Sequence, residues 1–130
     1  MTAFIDTNVL IRHLTGDPPD LGARATSFLA TANELLLTDL IVAETVYVLE
    51  SFYEVAREDV ARMVRSIVAF RPIRTSDPAL LLRSLEVYEI HRIDYAEAYL
   101  VACAERAGVA RIASFDRGID RVQTVARIEP

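Results

Sequence analysis

The chain predicts an α/β fold, a parallel sheet with helices on both faces. Three observations lead there. Short apolar β-type runs alternate with helix-period segments, breaker clusters separate the two kinds, and 52% hydrophobic residues among 130 are enough for a real core. We therefore expect a single globular domain over residues 1–130, without repeats or linkers.

Residues 3–5 form the first β-type run and 8–14 a brief helix, closed by the breaker cluster TGDPPD. Asp20 or the prolines start a helix to about residue 32, and LLL at 35–37 reads as a second buried strand. From 39 to about 53 the apolar residues Leu40, Ile41, Ala43, Tyr47, Val48 and Phe52 recur at helical spacing. A further helix spans about 58–70, and PIR at 72–74 is a short strand. Asp77 is the N-cap of a helix to about residue 88, with Pro78 at its first position. The helix over 95–107 is apolar almost all round between Ala98 and Ala104, which predicts burial, and Gly108 ends it. RIASF is then a strand and QTVARI a weaker last one.

Composition removes several functions. Nineteen acids against fourteen bases leave a net charge of −5, so no general basic field draws in a polyanion. All fourteen bases are arginine; the missing lysine excludes P-loop, Schiff-base and haloacid-dehalogenase chemistry. Two histidines, His13 and His91, and one cysteine, Cys103, do not make a zinc site, and Cys103 reads as a small buried hydrophobe. No secretory leader and no membrane-spanning apolar run is evident, so a cytoplasmic protein is expected.

The carboxylates carry the chemistry. Ligand sites of parallel sheets lie beyond the carboxyl ends of the strands, where Asp6 and Asp116 fall. Each also has a structural explanation, helix capping for Asp6 and a turn for Asp116. Glu44 has Leu40, Ile41, Tyr47 and Val48 as its helical neighbours, so its carboxylate is expected along a buried face, where it needs an arginine, a backbone amide or a cation. Asp94 and Glu97 stand one turn apart and suit a capping box, a ligand pair or both at once. Converging acids repel unless a cation or protons intervene, and oxygen ligands without His or Cys select Mg²⁺ or Mn²⁺. Such a centre suits hydrolysis of a phosphodiester.

FIDTNVLIR, DLIVAETVYVL, DYAEAYLVACAERAG and IASFDRGIDRV resemble, in order and spacing, the motifs of PIN-domain ribonucleases, and in particular of VapC-type toxins of bacterial toxin–antitoxin pairs. The resemblance runs from Phe4 to about Glu129. It implies a three-layer α/β/α PIN-like domain with a central, mainly parallel sheet, and Mg²⁺- or Mn²⁺-dependent endoribonuclease activity. Asp6, Glu44, Glu97 and Asp116 match the four family acids, with Asp94 assisting. The metal would be held by Asp6, Glu97, Asp116 and Asp94, directly or through water. Many relatives have aspartate where this chain has Glu97, so Asp94 is an alternative third acid. Asn8 and Ser114 match supporting polar residues, and Asp120 is either a solvated turn residue, the preferred reading, or an outer acid. Arg12, His13, Arg117 and Arg121 flank the expected rim and are candidates for RNA phosphate contacts. A homodimer and a small cognate antitoxin are further implications.

Three rivals remain. A PIN-like module could bind RNA or protein without cutting; another Mg²⁺-dependent phosphatase or nuclease could use the same sheet; or every acid could be a cap. The last requires Glu44 to be explained away.

Overall fold

Parallel strand pairing begins at the second residue. In the computed structural model, which describes residues 1–130, β1 (Thr2–Phe4) pairs with β2 (Glu34–Leu36) and β2 with β3 (Ile73–Arg74), Leu35 lying opposite both Ala3 and Ile73. Parallel neighbours need crossovers. Helices α1 (Thr7–Thr15) and α2 (Pro19–Thr31) make the first, and α3 (Asp39–Ser51) and α4 (Arg57–Val68) the second. These elements constitute one compact unit, Met1–Ser76.

The other compact unit, Asp77–Pro130, has α5 (Pro78–His91), α6 (Tyr95–Ala107), β4 (Arg111–Ala113), a 3-10 turn (Arg117–Arg121) and β5 (Ala126–Ile128). Strands β4 and β5 are parallel, with Ile112 opposite Arg127. The α/β class and the parallel pairing agree with the sequence. The first unit holds the three strands in the order β1-β2-β3 and the second the pair β4-β5, every pairing parallel.

Local chemistry fixes the element ends. Asp77 accepts the Leu80 N–H at 3.1 Å and Thr38 the Ile41 N–H at 3.2 Å, capping α5 and α3. Gly16 and Gly108, at φ 67° and 69°, end α1 and α6 in the left-handed region that glycine enters without strain. Helix α2 starts at Pro19, so the prolines begin it and Asp20 sits in its first turn.

Helices α1 and α2 approach so closely at one point that no side chain fits. A Cβ on Gly22 would lie 2.7 Å from the Cα of Gly16. Further along the pair, His13 Nδ1 and Thr26 Oγ1 stand 2.8 Å apart.

In the second unit the Arg83 guanidinium forks onto Glu105, Nε to Oε1 at 2.8 Å and Nη2 to Oε2 at 2.9 Å, while the Thr124 hydroxyl also donates to Glu105. This ties α5, α6 and the segment before β5 together, and holds the Glu105 carboxyl below its usual range. Arg127 makes a similar fork to Asp120, Nε to Oδ1 at 3.0 Å and Nη2 to Oδ2 at 3.1 Å.

Two burial expectations fail. The core side of α3 is Val42, Thr45, Val46 and Leu49, whereas Leu40 is 77% and Tyr47 67% exposed, and Glu44 between them is exposed too. An all-round apolar helix offers two possible core stripes, and packing selected the other one. Helix α6 buries Tyr95, Ala98, Val101, Ala102 and Ala104 but leaves Leu100 45% exposed and Cys103 half-buried, so it is a one-sided helix. No helix is long and apolar enough to cross a membrane.

Gly22→Ala should lower stability by about 1–3 kcal/mol despite the better helix propensity of alanine, because α1 and α2 would have to separate. Thermal melts of the two proteins check this, a fall in Tm being expected.

Candidate functional site

Asp94 immediately precedes α6 and Glu97 lies in its first turn, so the three-residue spacing stacks them on one face at the positive end of the helix. The capping box is not made: the Asp94 carboxylate accepts no cap hydrogen bond. Asp116 follows β4 and starts the 3-10 turn. Its N–H donates to Ser114 Oγ at 2.9 Å, and its Oδ1 accepts the Gly118 N–H at 2.8 Å. Ser114 thus orients the backbone of the acid. Carboxylate oxygens of Asp94, Glu97 and Asp116 all come within 4.8 Å of one another.

Crowding at this range has an electrostatic consequence. The Glu97 carboxyl is pushed above its usual range, first by burial, then by its hydrogen bond with Asp116 and by the charges on Asp94 and Asp116. Glu97 Oε2 is also buried without a hydrogen-bond partner, a condition shared only with Thr75 Oγ1. An orphaned carboxylate oxygen beside two further carboxylates fits a hard divalent cation. Oxygen ligands about 2.1 Å from Mg²⁺ lie at most about 4 Å from each other, the scale of this cluster.

Asp6 and Glu44 belong to the first unit. Asp6 is exposed at the end of β1 and caps α1, its Oδ1 accepting the Thr7 N–H at 2.7 Å. Capping is therefore one of its roles. The Thr7 hydroxyl donates to Glu44 Oε1, and Asp6, Thr7, Asn8, Arg12 and Glu44 line one pocket with Val48, Phe52 and Tyr53 at its apolar side. Glu44 is thus held by a threonine in a solvent-facing pocket, not rescued within a core. Thr7 was missed as a site residue. Its signal is visible afterwards: Thr7 is only 6% exposed, and a buried threonine directly after Asp6 must find a partner for its hydroxyl. Asn8 is exposed and lines the same pocket.

The candidate cations have varied surroundings. Arg12 donates from Nη1 to Asp17 O at 2.9 Å and lines the Asp6 pocket. His13 faces Thr26, Arg121 donates to Arg92 O at 2.8 Å, and Arg117 is exposed. Asp120 is committed to Arg127, which holds its carboxyl below the usual range, so its place is in an ion pair between the turn and β5.

A family model described as PIN domain matches residues 3–125. The chain belongs to the PIN-domain family. Its members are generally nucleases that bind divalent metal ions. A search of curated proteins gives no match.

Two outcomes follow from the carboxylate cluster. Because the folded state raises the Glu97 pKa, that group favours folding below the ordinary glutamate range, and the contribution is lost as pH rises through the raised value. Metal-free melts should therefore show Tm falling toward neutral pH, less steeply in Glu97→Gln. Saturating Mn²⁺ at neutral pH should raise the Tm of the wild type and not of Glu97→Gln. At Gly118 an added Cβ would lie 3.1 Å from Asp116 Oδ1, so Gly118→Ala should weaken Mn²⁺ binding on the order of tenfold by calorimetry.

Proposed function

We propose that the protein is a Mg²⁺- or Mn²⁺-dependent endoribonuclease that hydrolyses RNA phosphodiester bonds. The observation that carries this reading is the crowding of Asp94, Glu97 and Asp116 around the unpartnered Glu97 Oε2 in a PIN-family chain. A bound divalent cation would supply Lewis-acid polarisation of the phosphate, acidification of a water and neutralisation of developing charge.

The chain's own groups have separable tasks. Asp94, Glu97 and Asp116 would hold the metal, with Ser114 and the Gly118 N–H fixing the loop that carries Asp116. The unpartnered Oε2 beside Asp94 and Asp116 supports giving Glu97 this task despite its extra methylene. Asp6 and Glu44 complete the proposed catalytic set, on the strength of their motif positions. Thr7 orients both, donating its N–H to Asp6 and its hydroxyl to Glu44. Asp6 is also proposed as a metal ligand.

The match of one family model to residues 3–125 supports reading both compact units as one functional domain. The motif resemblance supports the finer proposal, a toxin of a toxin–antitoxin pair, homodimeric, cytoplasmic and held inactive by a small antitoxin.

The test is incubation of the purified protein with a mixed pool of structured and single-stranded RNA, in Mg²⁺, in Mn²⁺ and in EDTA. We expect metal-dependent cuts, lost in EDTA and reduced at least about 100-fold in Glu97→Gln, Asp116→Asn, Asp6→Asn and Glu44→Gln. Folded wild type that binds RNA and cuts it with neither metal would replace this reading with a silent binding module.

A further inference from the structure

We infer that the groove between α1 and α2 is a track for single-stranded RNA leading away from the Asp6 pocket, with Arg12 and Arg24 facing phosphates and Phe28 stacking a base. The inference rests on the ribonuclease reading and adds where the substrate lies.

The groove encloses about 910 Å³ and is lined from both helices. Helix α1 contributes Asn8 and Arg12, four residues apart on one face; α2 contributes Arg24 and Phe28 at the same spacing, with Ser27 and Thr31 beside them. No aspartate or glutamate lines it. In a chain of net charge −5, two guanidiniums without a carboxylate make a local site for an anion.

Arg24 is exposed, and Phe28 keeps 40% of its surface open although it is a large apolar residue. An arginine and an open aromatic ring one helical turn apart are the parts from which strand-tracking surfaces are made, the cation for phosphate and the ring for a base. Hydroxyls of Ser27 and Thr31 add sugar and phosphate contacts.

Continuity decides the occupant. Asn8 and Arg12 line both this groove and the pocket that holds Asp6 and Glu44, so the two openings share a wall. A strand with one phosphate at Asp6 would pass directly into the groove. An acidic protein segment would satisfy the arginines equally well, but only an RNA strand brings a phosphodiester to the metal proposed at Asp6, so the shared wall favours the substrate. Arg12 is held in place for the task by its bond to Asp17 O, and the Gly16–Gly22 approach fixes the separation of the walls.

The experiment compares steady-state cleavage of a single-stranded RNA of about twelve nucleotides with cleavage of a dinucleotide, and measures RNA affinity against salt. Arg24→Ala and Phe28→Ala should each raise KM for the longer RNA on the order of tenfold, with kcat and dinucleotide cleavage little changed. Arg24→Ala should also flatten the slope of log Kd against log salt by about 0.7, the share of one phosphate on a single strand. Phe28→Tyr should restore the wild-type KM. Arg71→Ala, at an exposed arginine outside the groove, should change nothing. Wild type that cleaves while both alanine variants keep its KM would overturn the inference and leave the ribonuclease reading intact. Variants that keep the RNA KM but lose affinity for an acidic amphipathic peptide would assign the groove to a protein partner and equally overturn it. Wild type that neither cleaves nor binds RNA would remove the ribonuclease reading and this inference with it.

Discussion

Repulsion among Asp94, Glu97 and Asp116 is the constraint around which the second unit is organised. Three carboxylates within 4.8 Å of each other do not assemble spontaneously; they are forced together by packing that is stronger than their repulsion. That packing can be named. Tyr95 and Ser84, both buried, meet through their hydroxyls at 2.8 Å, and the Tyr95 and Tyr88 rings meet edge to face at 5.9 Å. These contacts fix the start of α6, and with it Asp94 and Glu97. On the other side Arg121 binds Arg92 O and the Gly118 N–H binds Asp116, so the loop after β4 has little freedom to carry its acid away. Burial first, and then the neighbouring acids, raise the Glu97 pKa, and the same burial leaves Oε2 without a partner. A cation is the partner whose charge addresses both.

The first unit handles its acids differently. Asp6 and Glu44 are both exposed, and the first residue of α1 serves both of them. Thr7 spends its N–H on Asp6 and its hydroxyl on Glu44, which is possible because it sits at the first position of α1, where the backbone N–H has no partner within the helix. The cap contact and the hold on Glu44 are thus made by two different groups of one residue. The cap that Asp6 provides is therefore compatible with the functional role proposed for it.

Much of the fold was legible in the chain. The helix over Tyr95–Ala107 was placed at its observed ends, Asp77 and Pro78 start α5 as expected, and Gly108 stops α6 by entering the left-handed region. These are local effects, in which a residue acts on its own backbone or on a neighbour three positions away. The expectations that failed concern faces. Glu44 was expected inside because its neighbours are apolar, yet Leu40 and Tyr47 turned out to be surface residues. The Asp94–Glu97 spacing fits a capping box equally well as a ligand pair, and only the side-chain orientation separates the two.

By itself the sequence determined the α/β class, the succession of elements, the parallel pairing that such alternation requires, and which acids stand at the ends of strands and helices. Those properties follow from spacing along the chain. Tertiary structure alone decided that Asp94, Glu97 and Asp116 converge, that Thr7 holds Glu44, that Arg127 takes Asp120 out of consideration as an outer acid, and which stripe of α3 is buried. The physical reason is that periodicity reports the direction of a side chain relative to its own element. What that side chain meets depends on residues tens of positions away, whose approach is set by packing and by hydrogen bonds that no local pattern records.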